Sequence, residues 1–416
     1  MGFYLDKHVV SAEHFDYNFL EELFKTADLI ESMHKDPAGR WELRKVLRRR
    51  YDEYVWWDPD ETQDDSEPFT ALIHTIDAPS LRTAPGSWQA MRILGGDAIY
   101  YQASGISPFM AARARDGGVG AKKERLFSIA HTAHELKFDT LLLRSDNVKE
   151  EGTFRRLADS CEKAGIPISI VSMGEGNFEH PLQMLASLAL IRELKGDKLR
   201  GGKLKIALIG DVESSRVFHS LPFGLAHYGA TIYFVSPEGN VFPEHIWERV
   251  QRLNEEVVRE KKPRDAVSTF SIADTGVLRG QSVHDPFEII GDIDVCVFSR
   301  LQENLKHEKT RRDMQRLQKE FKRMHASPEL RAAMPKETLV SHALPSGEEF
   351  DEELHFGVDK RFQHWREVEK GLYTKAAVFM YLMKPHYTLS LNYYWNKAKD
   401  EMRRRKNAWI GRAPRW

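Results

Sequence analysis

Apolar residues first recur at helical spacing over Phe19, Leu20, Leu23, Phe24, Ala27 and Ile30, with Asp16 placed to cap the helix start. From residue 70 the pattern changes. Short apolar runs of strand length, TALIHTI (70–76), DAIYYQ (97–102), TLLLRS (140–145) and ISIVSM (168–173), alternate with the helical stretches SWQAMRIL, ERLFSIAHTAHEL and FRRLADSCEKAG. The long apolar stretch PLQMLASLALIRELKG then runs into GDKLRGGK, whose glycines and lysines suggest a domain boundary. After it the alternation restarts. KIALIGD is followed by a helix from about Arg216, then TIYFVS, a helix through HIWERVQRLNEEVVRE, VSTFSI, VCVFSR, a charged helix and TLVSHA.

Strands alternating with helices imply parallel sheets. The predicted fold is α/β: two doubly wound parallel-sheet domains with helices on both faces, joined by interdomain helices. The expected units are 1–196, 197–367, and 368–416 as a helix returning to the first domain plus a basic tail. Residues 35–66 read as an irregular insertion carrying the charge blocks RKVLRRR and YDEYVWWDPDETQDDSEPF, with Trp56 and Trp57 packing locally.

Composition narrows the function classes. The chain has 416 residues, more than the ~250–300 at which single cores stop growing. A net charge of -1 argues against general nucleic-acid binding. The two cysteines, Cys161 and Cys296, cannot build a disulfide framework and suit a reduced, cytoplasmic setting. The start has no basic-then-apolar signal pattern, and no apolar stretch reaches the ~20 residues of a membrane helix.

In open parallel sheets, ligands bind beyond the carboxyl ends of the strands. The segments after each strand are therefore the ones to read. After TALIHTI, Ser80, Arg82 and Thr83 stand where a strand hands over to a helix, a capped turn or a seat for an anion. Arg144 ends TLLLRS. After ISIVSM, Pro181 suits a first helical turn, leaving His180 at the cap and Gln183 just inside. A histidine there can stay neutral and hydrogen-bond a polarised carbonyl, because the helix N-terminus disfavours its cation. Arg216 follows KIALIGD, Arg300 and Gln302 follow VCVFS, and Leu344 and Pro345 follow TLVSHA. KIALIGD is not followed by GxGxxG, which ranks a dehydrogenase low. No HExxH, CxxC pair, GxSxG or GxxxxGK[ST] is present, so no metal or cofactor is expected.

Taken in order, these segments resemble the aspartate and ornithine carbamoyltransferase family. Pro79-Ser80-Leu81-Arg82-Thr83-Ala84 resembles its Pro-Ser-Thr-Arg-Thr-Arg phosphate loop, continued by Met91, Leu94 and Gly95. Lys122-Lys123-Glu124-Arg125-Leu126 is similar to its Lys-Gly-Glu-Thr-Leu loop. His180, Pro181 and Gln183 match His-Pro-x-Gln, and Gly210, Asp211, Arg216, His219 and Ser220 match Gly-Asp…Arg…His-Ser. Arg300 and Gln302 match Arg-x-Gln, His342, Leu344 and Pro345 match His-x-Leu-Pro, and Lys370-Gly371-Leu372-Tyr373 resembles Asn-Gly-Leu-Tyr.

The resemblance implies that Ser80, Leu81 (through its backbone), Arg82, Thr83, Lys122, Arg144, His180 and Gln183 hold carbamoyl phosphate. Arg82, Thr83, Arg144 and His180 would carry the catalysis. It implies that Arg216, Arg300, Gln302, Leu344 and Pro345 hold L-aspartate, and that the chain works as a homotrimer in which Lys122 reaches a neighbour's site. His-Ala-Leu-Pro in place of His-Cys-Leu-Pro favours aspartate over ornithine. Leu81, Ala84 and Ser346 depart from the family pattern. They leave open a carbamoyltransferase with another acceptor amine, and a non-catalytic homologue acting as a scaffold or partner subunit is the alternative of another class.

Overall fold

A computed structural model describes residues 7–49, 67–77, 80–102, 126–260, 278–303 and 311–383. Helix α1, Tyr17–Lys35, starts at Asp16, whose carboxylate accepts from the Phe19 amide at 2.8 Å. It buries the predicted stripe from Phe19 to Ile30. Part of the segment expected to be irregular is ordered. Asp36 closes α1 and caps a second helix, α2, Pro37–Leu43, by accepting from the Ala38 and Gly39 amides. Arg48–Arg49 (β1) then pairs antiparallel with Glu67–Pro68 (β2). An Asp-Pro start is a helix signal that the surrounding charge blocks obscured. Trp56 and Trp57 lie outside the described residues.

The first sheet holds β3 (Thr70–Thr75), β4 (Asp97–Gln102), β5 (Thr140–Ser145) and β6 (Ser169–Glu175) in the order β4-β3-β5-β6, with every pairing parallel. Helices α3 (Thr83–Ile93), α4 (Leu126–Glu135) and α5 (Thr153–Lys163) lie between its strands. Helix α6, Pro181–Arg200, leads out of β6. It is apolar on most sides and is buried through its first three turns from Leu182 to Ile191. The GDKLR stretch read as a break is helical through Arg200, past a non-helical Lys195.

The second sheet holds β7 (Leu204–Gly210), β8 (Ala230–Val235), β9 (Arg279–Val283), β10 (Val295–Ser299) and β11 (Leu339–His342), ordered β11-β10-β7-β8-β9 and again parallel. Between its strands run α7 (Arg216–Ala226), α8 (Glu244–Glu260), α9 (Arg311–Phe321) and the short α10 (Pro328–Ala333). The VSTFSI run lies outside the described residues. Edge strand β9 escapes a hydrophobic reading because RGQSV is polar and exposed over four of its five positions. The final described helix, α11 (His364–Met383), packs along α6 and also against α1 and α3.

In each sheet the chain winds outward in both directions from a central strand, β3 in one and β7 in the other. The crevices therefore open at the carboxyl ends of β3 and β5 and of β7 and β10. Gly210 ends β7 with φ 128°. The backbone passes so close to the Ser299 carbonyl that a Cβ there would collide with it. That approach is what sets the β7 and β10 loops side by side. No helix among the described residues is long and apolar enough to cross a membrane.

Candidate active site

The two crevices face each other across one cavity of about 410 Å³. Ser80, Leu81, Arg82 and Thr83 enter it from the β3 loop and the start of α3, Arg144 from β5, and His180 and Gln183 from the start of α6. From the second sheet come Arg216 at the start of α7, Arg300 and Gln302 after β10, and Leu344 and Pro345 after β11. Every described residue assigned to the site from sequence lines this space. Lys122 and Pro79 lie outside the described residues.

The α3 start brings Ser80, Leu81, Arg82 and Thr83 together at the cavity. Arg82 occupies the N-cap position but its side chain makes no capping bond, and Pro85 in the first turn has no N–H. Ser80 Oγ accepts from the Ala84 amide at 3.1 Å, which fixes the turn. Leu81 is 81% exposed and offers only its backbone.

His180 is positioned from both sides. Its amide donates to Ser220 Oγ of α7 at 2.8 Å, tying the two halves of the molecule together. Its Nδ1 accepts from the Gln183 amide at 3.3 Å. That leaves the proton on Nε2, which lies 3.2 Å from Thr83 Oγ1 and can be offered to a carbonyl oxygen in the cavity. Burial holds its pKa well below the usual histidine value, and Arg216, Arg144 and Lys375 add to this.

The unfolded chain therefore binds a proton below about pH 6.5 that folded His180 refuses. Its contribution to stability is complete above that pH and is lost as the pH falls. Ring carbon and nitrogen shifts of His180 should stay those of the neutral Nε2–H tautomer from pH ~8 down to about 5.5. An imidazolium signature at neutral pH would overturn the neutral state, and the Nδ1–H tautomer would remove the donor role.

Among the described residues, four arginines line the cavity against one lining carboxylate, Asp146. Asp146 accepts from Arg216 at 2.6 Å and lies 3.5 Å from Arg144. Burial, with Arg216 next, brings Arg144 down to about 10, and burial and then Arg300 lower Arg82. The buried Nε atoms of Arg144 and Arg300 have no hydrogen-bond partner among the described residues. Arg144 has Asp146 at 3.5 Å and Arg300 a long bond to the Leu301 carbonyl, and desolvated guanidiniums so thinly partnered are costly unless an anion completes them. The arrangement suits a ligand with several negative groups.

Three supporting residues were not assigned from sequence. Asp146 lies two residues beyond Arg144 in the same strand-end loop, a position the strand-end rule could have included. Asp211 and His342 fell within motifs but had no role. Asp211 accepts from the Gln302 amide at 2.9 Å and from Asn240 Nδ2 at 2.9 Å. His342 Nδ1 accepts from the Leu344 amide at 2.7 Å, so Nε2–H donates to Glu349 at 2.8 Å. This fixes Leu344, at φ 36°, ahead of its cis bond to Pro345.

Comparison with known proteins fits this geometry. Residues 7–193 match the family model "Aspartate/ornithine carbamoyltransferase, carbamoyl-P binding domain", and residues 202–382 match "Aspartate/ornithine carbamoyltransferase, Asp/Orn binding domain". The chain belongs to the aspartate/ornithine carbamoyltransferase family.

Among relatives in that family, it is 25% identical over 383 residues to the aspartate carbamoyltransferase catalytic subunit of Methanopyrus kandleri, covering 91% of this chain and 97% of the relative. It is 27% identical to aspartate carbamoyltransferase 2, chloroplastic, of Pisum sativum, covering 90% and 78%. The fold matches aspartate transcarbamoylase from Trypanosoma cruzi in complex with N-(phosphonacetyl)-L-aspartic acid at TM-score 0.67 and 18% identity, covering 92% and 97%. The same enzyme in complex with carbamoyl phosphate and aspartate matches at TM-score 0.66 and 20% identity, covering 91% and 97%.

Proposed function

We propose that this member of the family is an aspartate carbamoyltransferase. It transfers the carbamoyl group of carbamoyl phosphate to the amine of L-aspartate, giving N-carbamoyl-L-aspartate and phosphate, a step of pyrimidine biosynthesis. One observation carries the reading: the anion-binding α3 start and neutral His180 face Arg216 and Arg300 across a single cavity. Ser80, Arg82, Thr83 and the Leu81 amide take the phosphate. Arg144, His180 and Thr83 polarise the carbamoyl carbonyl. Arg216, Arg300 and Gln302 take the two carboxylates, and the Leu344–Pro345 turn closes the pocket.

The amine nitrogen attacks the carbonyl carbon, forming the C–N bond. Negative charge grows on the carbonyl oxygen, where Nε2–H of His180 and the Arg144 guanidinium are placed to meet it. The C–O bond to phosphate then breaks, and the amine proton can leave on the departing phosphate. No covalent enzyme intermediate is needed, so catalysis is positioning plus preorganised charge.

A homotrimer in which Lys122 reaches a neighbouring site belongs to the same reading. Ile99, Tyr100 and Tyr101 on edge strand β4, all substantially exposed, support such an interface.

Phosphate release from carbamoyl phosphate, measured in parallel with L-aspartate, L-ornithine or no acceptor, tests the assignment. Aspartate-dependent release with formation of carbamoyl-aspartate is expected. Release with neither acceptor would transfer the case to a different amine or to a silent site. An Arg300→Ala variant should raise the aspartate KM by at least about a hundredfold, since two charge-assisted hydrogen bonds at roughly 1.5–3 kcal/mol each are at stake. A defect confined to carbamoyl phosphate would contradict the role of Arg300.

A further inference from the structure

Behind the α3 start lies a second cavity of about 410 Å³ that shares Arg82, Gln183, His342 and Leu344 with the first. Pro85, Ala186 and Leu372 give it a largely apolar wall, into which α11 brings Lys375. Lys375 is 6% exposed. Its ammonium donates to the Gly371 carbonyl at 2.7 Å, one turn back on its own helix, and pairs with no carboxylate among the described residues.

Two glycines make room for it. A Cβ on Gly86, in the first turns of α3, would sit 3.5 Å from Nζ, and one on Gly371 would sit 3.1 Å away. The amine is thus lodged between α11 and the head of the helix that presents Ser80, Arg82 and Thr83. A buried ammonium with one carbonyl partner is expensive, and its surroundings add to the cost. The head of α3 carries the positive end of the helix dipole, and Arg82 stands at its cap. Burial brings the lysine down to about 8. Its charge reaches the site, because it adds to the effect of Arg216 and Arg144 in disfavouring a charged His180.

We propose that Lys375 is an anion-affinity residue, its ammonium lodged between Gly86 and Gly371 stabilising a phosphate dianion at the α3 start through space rather than by contact. The carbamoyl-phosphate reading names the ligand on which this acts.

Ionisable groups on the elements around Lys375 include Arg82 and Arg92 on α3, His180 and Glu193 on α6, His342 on β11, Asp28, Glu31 and His34 on α1, and His364, Glu367 and Glu369 on α11. Glu369, which lines the same cavity, pairs with Lys35 and Arg366. Glu367 is held by Gln183, Ser187 and Ser341, while Asp28, Glu31 and Glu193 hold Lys370. His34 faces Tyr373. None of these carboxylates neutralises Lys375.

Calorimetric titration of the full chain with inorganic phosphate and with carbamoyl phosphate provides the test. It is run at about pH 8.5, where phosphate is already a dianion, in buffers of different ionisation enthalpy. The wild-type protein should bind with uptake of part of a proton. Lys375→Met should bind about tenfold or more weakly and lose that uptake, with its melting temperature unchanged or raised because a buried charge has gone. Lys375→Gln serves the same purpose should the methionine variant fail to fold. A folded variant with unchanged affinity, or with weaker affinity but undiminished proton uptake, would overturn the proposal. Phosphate binding with uptake but no carbamoyl phosphate binding would instead overturn the functional reading and leave Lys375 in place; binding of neither would remove both.

Discussion

An Arg82→Ala variant should lose detectable carbamoyl phosphate binding while melting close to the parent temperature. The guanidinium makes no hydrogen bond to a described residue, and it is desolvated beside Arg300. Removing it breaks no hydrogen bond to a described residue and relieves a repulsion. In the complex it would supply a planar fork of charge-assisted bonds to phosphate, in a site where Leu81 and Ala84 contribute no polar side chain. Loss of one preorganised donor usually costs about 10²–10³ in rate, and Arg82 acts on binding as well. Arg92, on the same helix and stacked over Trp88 at 5.3 Å, is the matched control. Its replacement should leave affinity within about twofold, as surface changes away from a site usually do. Unchanged affinity in Arg82→Ala would remove the α3 start as the phosphate seat.

Much of this site was legible because the strand-end rule and the chain order act together. β3, β5, β6, β7, β10 and β11 all carry apolar runs that mark their ends within two residues, and the polar groups just beyond them are the ones lining the cavity. What stayed hidden has a common physical cause. Asp146, Asp211 and Lys375 each lie beside groups that tertiary packing brings near, Arg216, Gln302 and Gly86 in turn. Lys375 reads as one more cation in a helix, and only the glycines of two separate helices reveal that it is buried. β9 was missed for the converse reason: an edge strand need not be apolar to pair. The helix α2 within 35–66 was carried by local capping chemistry rather than by periodicity.

Asp211→Ala should be the most damaging single change in the second half of the chain. This carboxylate is fully buried at the end of β7. One oxygen accepts from the Ser214 amide and Asn240 Nδ2, and the other from the Gln302 amide, so it binds the loops after β7, β8 and β10 together. Truncation takes the acceptor from the Ser214 and Gln302 amides and leaves Asn240 Nδ2 with Glu213 at 3.3 Å, a loss of about 3–5 kcal/mol, readable as a lower urea midpoint. Asp211→Asn separates stability from function. Its oxygen can keep the Ser214 and Asn240 bonds, but its amide nitrogen then faces the Gln302 N–H, donor against donor. The asparagine variant should therefore keep more of the fold and still raise the aspartate KM, because the loop after β10 that carries Arg300 and Gln302 is pushed away from Arg216. Carbamoyl phosphate affinity should barely change, since none of its proposed contacts depends on Asp211. An asparagine variant with the parental aspartate KM would show that the β10 loop holds its position without this carboxylate.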